Sequence, residues 1–255
     1  MDMEDENGRG ELGAKMSFLE HLDEFRKRLI TCLIYIAVGF VGCWIFHEEL
    51  YRFIAQPILP YLAGSQKLVF TKPTEAFTLY FKVSFIAALF IVAPLLLHQL
   101  WMFIAPGLYR REKRMAVPFV VFSVFLFYGG GAFAYYFVLP AAYKFLLGFG
   151  SDFQPMIKID EYWDLTSTII LGFGAMFELP VVVAFLSLFG MITPRFLWKN
   201  FKYAVLLIFV LAAFLSPTPD AVTQTIYAGP MVILYSISIV ISWIFQRRRE
   251  KEWGD

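Results

Sequence analysis

From Leu29 to Phe245 the chain alternates between long apolar runs and shorter charged segments, and this alternation limits its fold more than any other feature. The runs cover 29–46, 77–104, 115–138, 165–189, 203–215 and 222–245. A helix of about 20 apolar residues crosses a hydrocarbon core roughly 30 Å thick. Each backbone N–H and C=O in lipid needs a partner within the protein, and a helix supplies one locally. The expected fold class is therefore all-α: a polytopic membrane protein with six transmembrane helices. Residues 1–16 read as a polar tail, 17–249 as one membrane domain and 250–255 as a second tail. Composition agrees, with 59% hydrophobic and only 17% charged residues, against roughly 25% charged in soluble domains. A net charge of +1 gives no reason to expect a nucleic-acid partner.

Local signals refine the boundaries. Ser17 and Glu20 fit a capping box. Phe18, Leu22, Phe25 and Leu29 follow at helical spacing, which predicts an amphipathic helix at the membrane surface leading into the first span. The first fifteen residues are polar and partly acidic, so no cleavable signal peptide is expected. Gly129, Gly130 and Gly131 lie in the third span, where small residues let another backbone come close. Residues 139–163 read as a loop that turns acidic towards its end. Thr193 and Pro194 read as N-cap and first residue of a new helix. The fifth run, 203–215, reaches only about 20 Å as a helix and is short for a bilayer. The sixth is expected to be interrupted at Gly229 and Pro230, leaving it short as well. Pro94, Pro180 and Pro230 predict kinked spans.

Lysine and arginine fix the orientation. Arg26, Lys27, Arg28, Arg110, Arg111, Lys113, Arg114, Arg195, Lys199, Lys202 and Arg247–Arg249 fall on one side at every crossing. The other side holds few basic residues, diluted over longer loops. Both termini are expected in the cytoplasm.

Few residues offer chemistry. Glu178 lies inside the fourth span, where a carboxylate costs about 2.5 kcal/mol or more and so faces protein or water. Its plain reading is a protonated acid bonded to a neighbouring helix. Glu24 and Glu112 sit among basic residues on the cytoplasmic side, and two carboxylates there can each grip a guanidinium through paired hydrogen bonds. Against this, Glu24 and Arg28 form an i,i+4 pair that helices use routinely. His21, His47 and His98 do not cluster. Cys32 and Cys43 lie in one run, about 16 Å apart as a helix, too far to pair. No metal-ligand spacing, phosphate loop or nucleophile–base pair is visible, so no cofactor and no enzyme is expected.

Several motifs, in order, resemble those of TatC, the membrane receptor subunit of the twin-arginine (Sec-independent) protein translocase. They include His21 to Leu29, Gln56 with Pro57, Pro73 to Phe77, and Phe103 to Tyr109 followed by Glu112, Lys113 and Arg114. Further on come Phe133 to Pro140, Phe173 with Glu178 and Pro180, Ile192 to Pro194, and Ser216 to Asp220 with Gln224. The resemblance implies a glove-shaped bundle of six helices in a bacterial inner membrane. It implies binding of the twin-arginine signal peptides of folded cargo, with Glu24, Arg26, Phe103 and Glu112 as recognition residues. It also implies recruitment of TatA- and TatB-type single-span partners, assembly as a homo-oligomer, and transport driven by the proton-motive force. Pro57 and Glu178 match positions that such receptors need. Ser216, Asp220 and Gln224 fall in the partner-docking region, although Ser216, Pro217, Thr218 and Pro219 stand where many relatives have Thr-Pro-Pro.

The competing reading is a proton-coupled secondary transporter that titrates Glu178. Six spans and the lack of an internal repeat count against it. A purely structural scaffold is the third reading, and it predicts that cargo binding survives changes at Glu24 and Glu112.

Overall fold

The computed structural model describes residues 18–62, 68–104, 116–150, 156–188, 190–216 and 220–253. Their regular structure is helical, apart from one isolated bridge between Val69 and Lys158. Five helical segments are long and apolar enough to cross a membrane, and a sixth, shorter apolar helix accompanies them.

The first helix, α1 (Phe18–Ile45), is continuous over 28 residues. The expected surface helix and first span are thus one rod, because no proline separates the polar first turns from the apolar remainder. It packs along α3 (Glu75–Ile104), while Leu33, Val38, Val41 and Ile45 stay exposed on its outer side, as lipid-facing residues would. Between them, α2 (His47–Ala55) and a 3₁₀ turn (Leu59–Tyr61) cover one end of the bundle. The last carbonyls of a helix are short of internal partners, and here two tyrosines add to the Gln56 N–H that reaches Phe53 O at 3.2 Å. Tyr135 OH donates to Phe53 O and Tyr162 OH to Ile54 O.

The third crossing departs from the expected boundaries. α4 (Ala116–Phe133) passes through a π-helical turn (Ala134–Val138) into α5 (Leu139–Gly148). The loop expected from 139 is therefore helical to Gly148. Pro140 is the signal that suggested a stop, yet the chain widens one turn ahead of it instead. Leu139 N–H reaches back five residues to Ala134 O, a register typical of π-bulges.

The fourth crossing is two helices, α6 (Ile159–Met176) and α7 (Leu179–Leu188), with a break at Phe177 and Glu178. α6 begins earlier than expected, since Asp160 and Asp164 belong to its first turns and pair with Lys82 of α3 at 3.6 and 3.4 Å. α8 (Pro194–Lys199) is capped as the sequence suggests, with Thr193 Oγ1 accepting from Phe196 N at 3.2 Å. α9 (Phe201–Leu215) has 15 residues and is short. α10 (Ala221–Trp253) runs through Gly229 and Pro230 without interruption. Its apolar part, Ala221–Ile244, has 24 residues, so the sixth span is not short. Tyr162, Phe173, Ile169, Leu139, Tyr227 and Met231 form the centre of the buried core, where α5, α6 and α10 meet.

Candidate functional site at the α1–α3 end

Glu24 and Arg28 stand one turn apart on α1, so their side chains share a face. Arg28 Nε donates to Glu24 Oε1 at 2.9 Å, and Nη2 donates to the same oxygen. Arg28 Nη1 donates to Gln99 Oε1 of α3 at 3.1 Å. The guanidinium thus ties two helices together and fixes the plane of the carboxylate. Glu24 Oε2 is buried and has no hydrogen-bond partner among the described residues. Leaving a buried carboxylate oxygen unpaired is unfavourable.

Beside it lies a cleft of about 580 Å³ lined by Glu20, Asp23, Glu24, Lys27, Arg28, Thr31 and Gln99. Three carboxylates against two cations favour a basic guest. Next to this polar cluster, Phe103 of α3 stacks on His21 with centroids 4.5 Å apart and meets the edge of Phe25 at 5.5 Å. Aromatic faces of this kind also accept guanidinium groups.

The structure brings Glu24 and Phe103 together. Arg26 is exposed and does not line the cleft, because two residues along a helix turn the side chain through about 200°. Glu112 lies outside the described residues. Pro57 is buried in the turn after α2, at the opposite end of the bundle. Ser216, Asp220 and Gln224 also lie at that opposite end, between α9 and α10, and have folding roles there. Ser216 N donates to Ala212 O at 2.8 Å to close α9. Asp220 Oδ1 accepts from Thr223 N at 2.8 Å as the N-cap of α10. Gln224 Nε2 donates to Phe209 O at 2.8 Å and clamps α10 to α9.

Glu178 sits in the break between α6 and α7, where Pro180 denies Met176 O its usual N–H donor. Ser123 of α4 hydrogen-bonds the Glu178 side chain, and Trp101 Nε1 donates to Ser123 Oγ at 3.1 Å. Phe119 and Phe185 enclose the Trp101 indole at 5.2 Å each. Glu178 Oε1 is buried without a partner among the described residues. The chain Trp101–Ser123–Glu178 ties α3, α4 and the α6–α7 break together, two residues along α3 from Phe103.

Sequence reasoning missed Gln99, Ser123 and Trp101. Gln99 was within reach, since it precedes Phe103 by four residues and shares its face. Nothing in the sequence singles out Ser123 among the span serines.

Comparisons with known proteins agree with this architecture. Residues 20–230 match the family model of the Sec-independent protein translocase protein TatC. The Koribacter versatilis TatC is 48% identical over 93% of this chain and 90% of its own length. The Helicobacter pylori (strain J99) TatC is 42% identical over 87% of each chain. A crystal structure of the twin-arginine translocase receptor TatC superposes with a TM-score of 0.78 at 36% identity, covering 89% of this chain and 99% of that one. Similarity spread over nearly the whole length, joined to the apolar helices, marks a multi-pass membrane protein that serves protein transport and is not an enzyme. The chain belongs to the TatC family of Sec-independent protein translocase proteins.

Proposed function

We propose that this protein is the signal-peptide receptor of a twin-arginine translocase. The supporting observation is Glu24 Oε2, a buried carboxylate oxygen without a donor among the described residues, held beside an acidic cleft. One guanidinium of the signal peptide donates to Glu24 from the cleft, while Arg28 keeps the carboxylate aligned from its other side. Phe103 gives that guanidinium a ring to stack on, and Arg26 adds a basic group on the neighbouring face. Glu112, in the segment between α3 and α4, takes the second guanidinium. Lysine presents a single ammonium and does not reproduce the planar fork.

Glu178 supplies a polar anchor for partner helices of the TatA and TatB type, which dock towards α9 and α10 around Ser216, Asp220 and Gln224. Several copies of the receptor assemble, and the proton-motive force drives transport. With α9 as the fifth of six crossings, the distribution of Lys and Arg puts both termini in the cytoplasm of a bacterium, with the helices in its inner membrane. Family membership leaves the secondary-transporter reading of Glu178 without support.

The test is binding of a labelled twin-arginine signal peptide to the purified protein, read by fluorescence anisotropy. Glu24→Gln removes a charge-assisted hydrogen bond worth about 1.5–3 kcal/mol, so affinity falls by about tenfold or more. A peptide with both arginines changed to lysine binds the parent protein about as weakly, and Glu24→Gln weakens it little further. Glu112→Ala lowers binding more than it lowers the amount of folded protein. Equal affinity for the arginine and lysine peptides overturns the proposal.

A further inference from the structure

α8 and α10 meet at the end of the bundle where α1 begins and α3 ends, and a cleft of about 710 Å³ lies between them. α8 contributes Arg195, Trp198 and Lys199, which stand at i, i+3 and i+4 and so share one face. α10 contributes Ile239, Val240 and Trp243. The walls are set in place by the fold. Tyr235 OH of α10 donates to Leu197 O of α8 at 3.0 Å, and Pro194 and Leu197 are buried beneath. Phe201 bridges the two helices, with ring centroids 5.9 Å from Trp198 and 5.8 Å from Tyr235.

The surface combines two demands. Arg195 and Lys199 are exposed cations, and the ion pairs of the described residues are made by other side chains. Directly beside them Trp198, Val240 and Trp243 expose large apolar surfaces, at 71%, 56% and 47%. A soluble anion satisfies the cations and leaves the indoles bare. A wholly apolar helix covers the indoles and strands the cations. A molecule with an anionic head and hydrocarbon tails satisfies both. Tryptophan concentrates at the membrane–water interface, and basic pockets between helices bind phospholipid head groups there.

We infer that this cleft is a binding site for one anionic phospholipid. Its phosphodiester sits between Arg195 and Lys199, and its acyl chains run along Ile239 and Val240 past the Trp243 ring. The bound lipid fixes α8, which stands in the chain between the half-span that follows Glu178 and the short helix α9.

The experiment is native mass spectrometry of the full-length protein in detergent, titrated with phosphatidylglycerol, phosphatidylcholine or glycerol 3-phosphate. Phosphatidylglycerol adducts are expected at lower concentration than phosphatidylcholine adducts, and glycerol 3-phosphate gives none. In the Arg195→Gln, Lys199→Gln double variant the phosphatidylglycerol affinity falls on the order of tenfold, as loss of two interfacial cations predicts. Phosphatidylcholine binding stays unchanged, which also reports that the variant is folded. Arg195→Lys, which keeps the charge, retains affinity within about threefold, since each interfacial cation counts mainly through its charge. Equal uptake of the two lipids, undiminished phosphatidylglycerol binding by the double variant, or uptake of neither lipid overturns the inference. Binding of glycerol 3-phosphate as strong as that of the lipid overturns it too, in favour of a soluble phosphate ligand.

Discussion

At Gly130 the obstacle to a side chain is backbone. A Cβ there would fall 2.5 Å from the carbonyl oxygen of Phe173 on α6, and also under 3 Å from Phe177. At Gly131 the nearest atom is the edge of the Phe90 ring, which can rotate, and at Gly129 nothing lies within 4 Å. Three neighbouring glycines that look alike in sequence therefore carry different loads. Gly130→Ala is expected to destabilise by about 1–3 kcal/mol, the range for forcing atoms into a packed site. Gly129→Ala is expected to be neutral or slightly stabilising, because alanine is the better helix former. Thermal unfolding of both variants in detergent checks this, and equal melting temperatures refute the assignment. The same difference in visibility applies at the candidate site. Glu24 and Phe103 were legible because a lone carboxylate and a ring sit in recognisable motifs. The division of Glu24 into one oxygen bonded by Arg28 and one without a partner among the described residues was not, since it depends on Gln99 drawing Arg28 to one side.

Pro94, Pro140, Pro180 and Pro230 lie in or beside the spans, and each is accommodated differently. Pro94 cannot donate to Phe90 O, four residues back. Tyr128 OH of α4 donates to that carbonyl at 2.8 Å, so the gap in α3 becomes a bond between helices. Pro140 is met by the π turn before it, and Pro180 lies just past the break that holds Glu178. Pro230 stays inside α10 without ending it. Tyr128→Phe leaves the Phe90 carbonyl without its donor in an apolar setting. It is expected to cost about 1 kcal/mol, and Pro94→Ala in the same background is expected to recover part of the loss by restoring the helical N–H. A double-mutant cycle on thermal stability that shows no coupling refutes this pairing. Sequence reading located the starts of α1, α3, α8 and α10, where caps and prolines leave local marks, but it began α6 six residues late and read α6 and α7 as one run. It placed several ends wrongly, at Val138 and at Gly229 most clearly, because proline signals a missing donor without saying whether a distant side chain or a wider turn makes up for it.

On the scale of the molecule, the orientation depends on whether α9 crosses. Its 15 residues span about 22 Å against a hydrocarbon core of about 30 Å. A segment that short is accommodated by local thinning of the bilayer or by polar groups at its ends. Both ends here are polar: Asn200 and Lys202 at one, Ser216 and Asp220 at the other. Gln224 holds the start of α10 against the body of α9, so the two helices pack as an antiparallel hairpin. A full crossing makes six spans and puts both termini on one side. A re-entrant α9 makes five and separates them. The deciding measurement begins with a variant in which Cys32 and Cys43 are replaced. Single cysteines are then introduced at Lys202 and Ala221, both exposed at the helix ends. In intact cells a membrane-impermeant maleimide is expected to label Ala221→Cys and to spare Lys202→Cys until the membrane is opened. Labelling of both in intact cells, or of neither, means that α9 returns to the side it came from, and the common location of the termini falls with it.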